Sequence, residues 1–181
     1  MNADFEKGGK LLPKIIENVK EQLLEEVRKE IDSVGYAGTT IRSVAKGCGV
    51  GVGTVYNYFK SKDMLIASVV AEDWHHCLDG FKAAPPKAHK ETLKNLYEML
   101  IAFSSEHKSI FRDPQAVKKF FSEFLENHEI LRNQIAELIL PLCEKSENPE
   151  FLSKFIGESL LTWSMARVPF EEYYSVIKKL I

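Results

Sequence analysis

The chain has 181 residues, enough for one compact domain or two small ones, and 45% of them are hydrophobic, ample for a buried core. Its 24 Lys and Arg against 26 Asp and Glu leave a net charge of -2, which excludes a generic polycation, so any nucleic-acid surface must come from local segregation of charge. The three cysteines, Cys48, Cys77 and Cys143, are odd in number and far apart. That excludes a disulfide framework and a CxxC metal or redox motif, and fits a reducing cytoplasm. Met1 to Lys10 lack the apolar stretch of a signal peptide, and charges interrupt every later apolar run before it reaches bilayer-spanning length, so a cytoplasmic protein with no membrane partner is expected.

Helical periodicity begins with Ile15, Ile16, Val19, Leu23, Leu24, Val27 and Ile31, whose spacings of three and four place them on one face. Pro13 suits the first turn of that helix, and Gly35 supplies a residue tolerant of positive φ where it should end. Thr39 and Thr40 precede Ile41, Val44 and Ala45, so a threonine hydroxyl can accept a free N–H at the start of a short second helix. Gly47, Gly49, Gly51 and Gly53 then forbid a long helix, and the chain must turn. Val55, Tyr56, Tyr58 and Phe59 follow as a dense apolar and aromatic cluster.

Ser61 offers an N-cap for a long helix carrying Met64, Leu65, Val69 and Trp74, which Gly80 and Pro85-Pro86 are expected to close. Four or five further helices are predicted. Leu93, Leu96, Tyr97 and Leu100 mark one, and Val117, Phe120, Phe121 and Phe124 the next. Asp113-Pro114 and Asn148-Pro149 each set an N-cap candidate before a proline at the first helical position. A helix from about Ile130 to Cys143 contains Pro141, which should shorten or kink its last turn; others are expected at about Glu150 to Arg167 and Glu171 to Leu180. No strand pattern and no internal repeat is visible, so the fold class is all-α.

From Ile41 to Phe59 the residues read I-R-S-V-A-K-G-C-G-V-G-V-G-T-V-Y-N-Y-F, and each special position has a role in a helix-turn-helix. Ala45 is small where the second helix packs against the first, Gly49 sits where the turn needs positive φ, and Val44, Cys48, Val50 and Val55 supply shared core. Between Ser33 and Lys62 lie four basic residues, Arg42, Lys46, Lys60 and Lys62, and no acidic one. In this register, G-Y-x-x-T-T-I-R-S-V-A at Gly35 to Ala45 and G-V-x-x-G-T-V-Y-N-Y-F-x-S-K at Gly49 to Lys62 resemble the TetR family of bacterial transcriptional regulators over roughly Val19 to Val70.

The resemblance implies a three-helix helix-turn-helix DNA-binding domain at residues 1–62 and a helical effector-binding and dimerisation bundle at residues 63–181. It implies a recognition helix, Gly51 to Phe59, in the major groove of double-stranded DNA. Direct contacts would then come from Arg42 on a guanine edge or phosphate, Val52 on a thymine methyl, and Asn57 on a base. Thr40, Thr54, Tyr56 and Lys62 are placed for phosphate, Tyr58 lies at the far end, and Gly51 and Gly53, part of the same stretch, offer no hydrogen-bonding side chain, which gives weight to shape readout. Lys7, Lys10 and Lys14 are candidates for an N-terminal arm. Gly51 stands where the family commonly has serine, and Gly47 where a better helix former is expected.

Beyond residue 70 the aromatic residues are, one by one, most simply core. As a family member the chain is expected to enclose a small apolar or amphipathic effector, with Trp74, Phe81, Tyr97, Phe103, His107, Phe120, Phe124 and Trp163 as candidate lining. The same resemblance implies a homodimer through the late helices, with Phe155, Ser159, Trp163, Tyr174 and Ile177 as candidate interface residues. His75 and His76 follow Glu72 and Asp73, but adjacent histidines point to different helix faces, so no metal is expected. No cofactor is expected either. With no nucleophile-base pair and no phosphate-cradling motif, an enzyme is disfavoured against a repressor released by an effector. The remaining alternative is a regulator of the same fold that answers to a protein partner or to DNA alone.

Overall fold

The structure is a computed structural model that describes residues 18–83, 88–123 and 125–181, and for residues 120–123 and 125–128 the backbone path only. The expected N-terminal arm, Pro85-Pro86, and the side chains of Phe120 and Phe124 lie outside the described residues. Among those described, every regular element is a helix. In chain order these are α1 (Val19–Gly38), α2 (Ile41–Gly47), α3 (Val52–Tyr58), α4 (Lys62–Ala83), α5 (His89–Glu106), α6 (Lys108–Phe111), α7 (Pro114–Glu123), α8 (Leu125–Ile139), α9 (Pro149–Met165) and α10 (Phe170–Ile177).

Local chemistry sets most of these limits. Asp113 accepts the N–H groups of Gln115 and Ala116 through Oδ1 at 2.8 and 3.0 Å, and Asn148 accepts that of Phe151 at 3.3 Å, so both Asx-Pro pairs start helices as expected. Ser61 Oγ accepts from Met64 N at 3.1 Å and starts α4. Pro141 tightens the end of α8 into a 3-10 turn at Leu140–Leu142. Gly80, expected to close α4, instead lies within it, and the helix runs to Ala83. Buried Leu78 and half-buried Phe81 carry the helix past this position by packing on the C-terminal core, which outweighs the modest helix penalty of glycine.

Two hydrophobic cores are strung along α4. The first joins Leu23, Leu24, Val27 and Ile31 of α1 to Ile41, Val44, Ala45, Val55 and Phe59, and to Leu65, Ile66 and Val69 of α4; Ile110 and Ala116 also enter it. The second contains Trp74 and Leu78 of α4 with Leu93, Leu96, Tyr97, Leu100 and Phe103 of α5, Ile135 and Ile139 of α8, Ile156 and Leu160 of α9, and Tyr173 and Ile177 of α10. Val70 and Phe111 pack against both cores. The helix-turn-helix is thus held on one stretch of α4 and the C-terminal bundle on the next.

Candidate nucleic-acid interface

One long helix and two short ones build this surface. α1 carries its stripe Leu23, Leu24, Val27 and Ile31 into the first core and breaks at Gly35, whose φ of 71° is the left-handed conformation foreseen there. Thr39, fully buried, ties that break down by donating both its N–H and its hydroxyl to the Gly35 carbonyl, at 3.1 and 2.9 Å. Thr40 is the exposed N-cap of α2. Its Oγ1 accepts from Ser43 N at 3.0 Å, while Ser43 Oγ accepts from Thr40 N at 3.1 Å and donates to Glu30 Oε2 at 2.6 Å.

α2 ends in a Schellman motif: Val50 N donates to Ala45 O at 2.9 Å and Gly49 N to Lys46 O at 3.1 Å, with Gly49 at φ 66°. This aims the chain into α3. The departure at Gly47 also has a local cause. A Cβ there would come within 2.1 Å of Glu26 Oε1, because the Glu26 side chain of α1 lies across this last turn of α2.

α3 is anchored by fully buried Val55 and by Phe59 just beyond its end, which turns its remaining residues outward. Val52, Gly53, Asn57, Tyr56 (52% exposed) and Tyr58 (49% exposed) form one open face beside exposed Arg42 on α2; Gly51 caps the helix through its backbone alone, and Thr54 is half-buried. Lys46 and Lys60 are exposed nearby. Such a face, with cationic and aromatic side chains and none that are acidic, suits phosphates flanking a groove read by backbone and apolar contact.

Lys62 is placed differently from the expectation. Its ammonium donates to the Tyr36 carbonyl at 2.8 Å and lies 4.0 Å above the Tyr36 ring, so its first use is to bind α4 to the end of α1. The Tyr36 hydroxyl in turn donates to Asp63.

The residues read as effector-lining are partly brought together. Trp74, Tyr97, Phe103 and His107 are buried in or against the second core and Phe81 is half-buried there. Trp74 meets Phe103 edge-on at 5.3 Å and its indole N–H donates to Gln134 Oε1 at 2.8 Å. The Tyr97 hydroxyl donates to the carbonyls of Trp163 and Val168, and burial pushes its pKa above the ordinary value. Trp163 itself is 47% exposed and does not line this core, because Ile156, Leu160 and Ser164 form the buried face of α9.

Among the interface candidates, Phe155 is half exposed and Tyr174 is half-buried, stacked on Phe170 at 5.5 Å. Ser159 is half-buried, its Oγ 3.0 Å from the Tyr173 hydroxyl, whose pKa burial pushes up to about 12. Ile177, 4% exposed, is a correction: with Tyr173 one turn before it, it faces the chain's own core. Phe151 and Leu180, on the two helices expected to pair, also stand outward, and so do Met165 and Val176, which the interface expectation did not include. Phe151 and Phe155 are four apart on α9, a spacing that was available as a signal.

Comparisons with known proteins agree with this geometry. The family described as "Bacterial regulatory proteins, tetR family" matches residues 23–69, from α1 into α4. An HTH-type transcriptional regulator of Staphylococcus aureus (strain bovine RF122 / ET3-1) is 29% identical over 97 residues, covering 52% of each protein, so the match spans about half the length of that relative. The fold extends further. The TetR family repressor AlkX of Dietzia sp. strain DQ12-45-1b, implicated in biodegradation of n-alkanes, superposes with a TM-score of 0.58 at 15% identity, covering 96% of this chain and 99% of its own. The transcriptional regulator FadR of Bacillus subtilis, solved in complex with stearoyl-CoA, gives 0.55 at 18% identity over 89% of this chain and 97% of its own. The capped and glycine-turned helix-turn-helix lies inside the stretch that matches the tetR family of bacterial regulatory proteins, and the fold shared with the two solved structures extends beyond it.

Proposed function

We propose that this protein is a repressor that binds a pseudo-palindromic operator as a homodimer and releases it when a small apolar or amphipathic molecule enters the C-terminal bundle. The observation that carries the DNA-binding part is the open face of α2 and α3, where Arg42, Val52, Tyr56, Asn57 and Tyr58 stand exposed on a rigidly capped scaffold. A homodimer is supported by the outward apolar side chains of α9 and α10, too many large hydrophobics on two adjacent helices for a surface left in water. Two recognition helices about 34 Å apart would then enter successive major grooves. The effector reading is supported by the buried aromatic cluster of Trp74, Phe103 and His107 in the C-terminal bundle and by the acyl thioester bound to the Bacillus subtilis neighbour. Among the described residues no helix is long and apolar enough to cross a membrane, and no cluster of His, Cys, Asp and Glu is arranged to hold a metal ion.

The test is in vitro selection from a random duplex pool with the full chain, followed by gel shifts at several salt concentrations. Enrichment of a two-fold symmetric sequence is expected, with affinity lost in Arg42→Ala by about 1 to 3 kcal/mol if Arg42 reads a base. Long-chain acyl thioesters are the first probes for release. No enriched sequence at low salt overturns the proposal.

A further inference from the structure

We propose that Asp73 is the positioning contact between the two units: one carboxylate oxygen holds Arg28 of the helix-turn-helix and the other faces His107 of the C-terminal bundle, so that movement of His107 resets α1. This rests on the operator-binding reading above.

Positions 72 to 74 of α4 reach both units. Glu72 and Asp73 both accept from the Arg28 guanidinium of α1; Arg28 Nε and Nη2 reach the same oxygen, Asp73 Oδ1, at 3.2 and 2.7 Å. Trp74 enters the second core against Phe103 and Gln134. The second oxygen, Asp73 Oδ2, is 3.5 Å from Nε2 of His107, at the junction of α5 and α6. His107 is more than nine-tenths buried, and its Nε2 has no hydrogen-bond partner. Its ring lies between Phe103, 4.6 Å away edge-on, and Phe111 at 6.0 Å.

A buried ring nitrogen without a partner is unfavourable, and this one stops about half an ångström short of a carboxylate oxygen that would accept from it. Two arrangements follow. In one, Arg28 holds Asp73 and the imidazole is unpaired. In the other, an Nε2–H donates to Asp73 and draws the carboxylate toward the α5–α6 junction, leaving Arg28 to Glu72. Val27 and Ile31 flank Arg28 on α1 and pack in the core beneath α2 and α3, so the exchange re-aims the recognition helix. The aromatic chain from Trp74 through Phe103 to His107 is what a change in the C-terminal core would displace. The charged groups around the imidazole are Asp73 of α4, Glu106 of α5, and Arg28 and Asp32 of α1. A proton on His107 favours the second arrangement, which gives the contact an experimental handle.

The experiment is an NMR titration of His107 in the full-length protein, free and bound to its selected operator. By reciprocity, coupling requires its titration midpoint to differ between the two states and operator affinity to change with pH, by about fivefold or more between about pH 8 and pH 5.5. His107→Gln should remove that component of the pH profile. Asp73→Asn should remove it too, and the two substitutions should be non-additive. If the midpoints coincide in a complex that does form, or if His107→Gln keeps the wild-type pH profile, the coupling is overturned while operator binding stands. If no complex forms, both fall.

Discussion

Thr40 caps α2 through its hydroxyl, and its exposed position borders the surface proposed to face DNA, two roles that substitution can separate. In Thr40→Ala the Ser43 N–H loses its side-chain acceptor, and no other side chain caps this seven-residue helix. The reciprocal bond from Thr40 N to Ser43 Oγ is retained, so one cap interaction is removed, a loss of about 1 kcal/mol within a range of roughly 0.5 to 2. For a chain of this size that corresponds to a fall in Tm of about 2 to 4 °C. Hydrogen exchange should accelerate in α2 and α3 while α5 and α9 keep their protection. Thr40→Asn restores the cap. Thr40→Asp caps as well but adds a charge, so the Asp-to-Asn difference in operator affinity reports proximity to phosphate, about 1 to 4 kcal/mol at contact distance. Equal operator affinity for the two would refute the placement of Thr40 at the DNA surface. An unchanged Tm for Thr40→Ala would refute the capping argument.

Lys62→Met should lower stability by about 1 kcal/mol, since it removes the bond to the Tyr36 carbonyl and the contact with its ring, and should leave the salt dependence of operator binding nearly unchanged. A fall of about 0.9 in that slope would return the lysine to a phosphate. Phe155→Glu should turn a sedimenting dimer into a monomer without loss of helical circular dichroism; a persistent dimer would move the interface elsewhere. Burial lowers the pKa of His107 from its ordinary 6.5, so the unfolded chain binds the proton more readily. Its contribution to stability is therefore full above about pH 6.5 and declines as pH falls below it, and His107→Gln should flatten the urea midpoint over that window. An identical decline in the variant would assign it to other groups.

What could be read directly from residue order was the chemistry of short range. The Thr40 cap, the Gly49 turn and the Asx-Pro starts of α7 and α9 each depend on groups within a few positions of one another, and each is present. The facing of α9 and α10 was harder, because these helices are apolar on more than one side: Ile156 and Leu160 turn inward while Phe151 and Phe155 turn outward, and periodicity alone does not tell core from partner. Ile177, expected at the interface, accordingly faces the core, and Trp163, expected both as lining and as interface, turns outward. The resemblance places Lys62 for phosphate, and only the fold brings the Tyr36 carbonyl to its ammonium. The link from Arg28 to Asp73 spans 45 positions and belongs wholly to tertiary structure.

The glycines that open the recognition helix bear on how such a protein can change. A Cβ at Gly53 would meet nothing within 4 Å, and one at Gly51 only Thr54 Oγ1 at 3.8 Å; neither residue has positive φ. At Gly53 the fold leaves room for a side chain and would gain helix propensity from most replacements, whereas Gly51 is the N-cap of α3, where Ser, Asp or Asn would hold the helix and apolar residues would weaken it. Partner choice at position 53 is decoupled from folding, so a library varied there, with position 51 kept to capping residues, can be screened for new operators with little loss of stability.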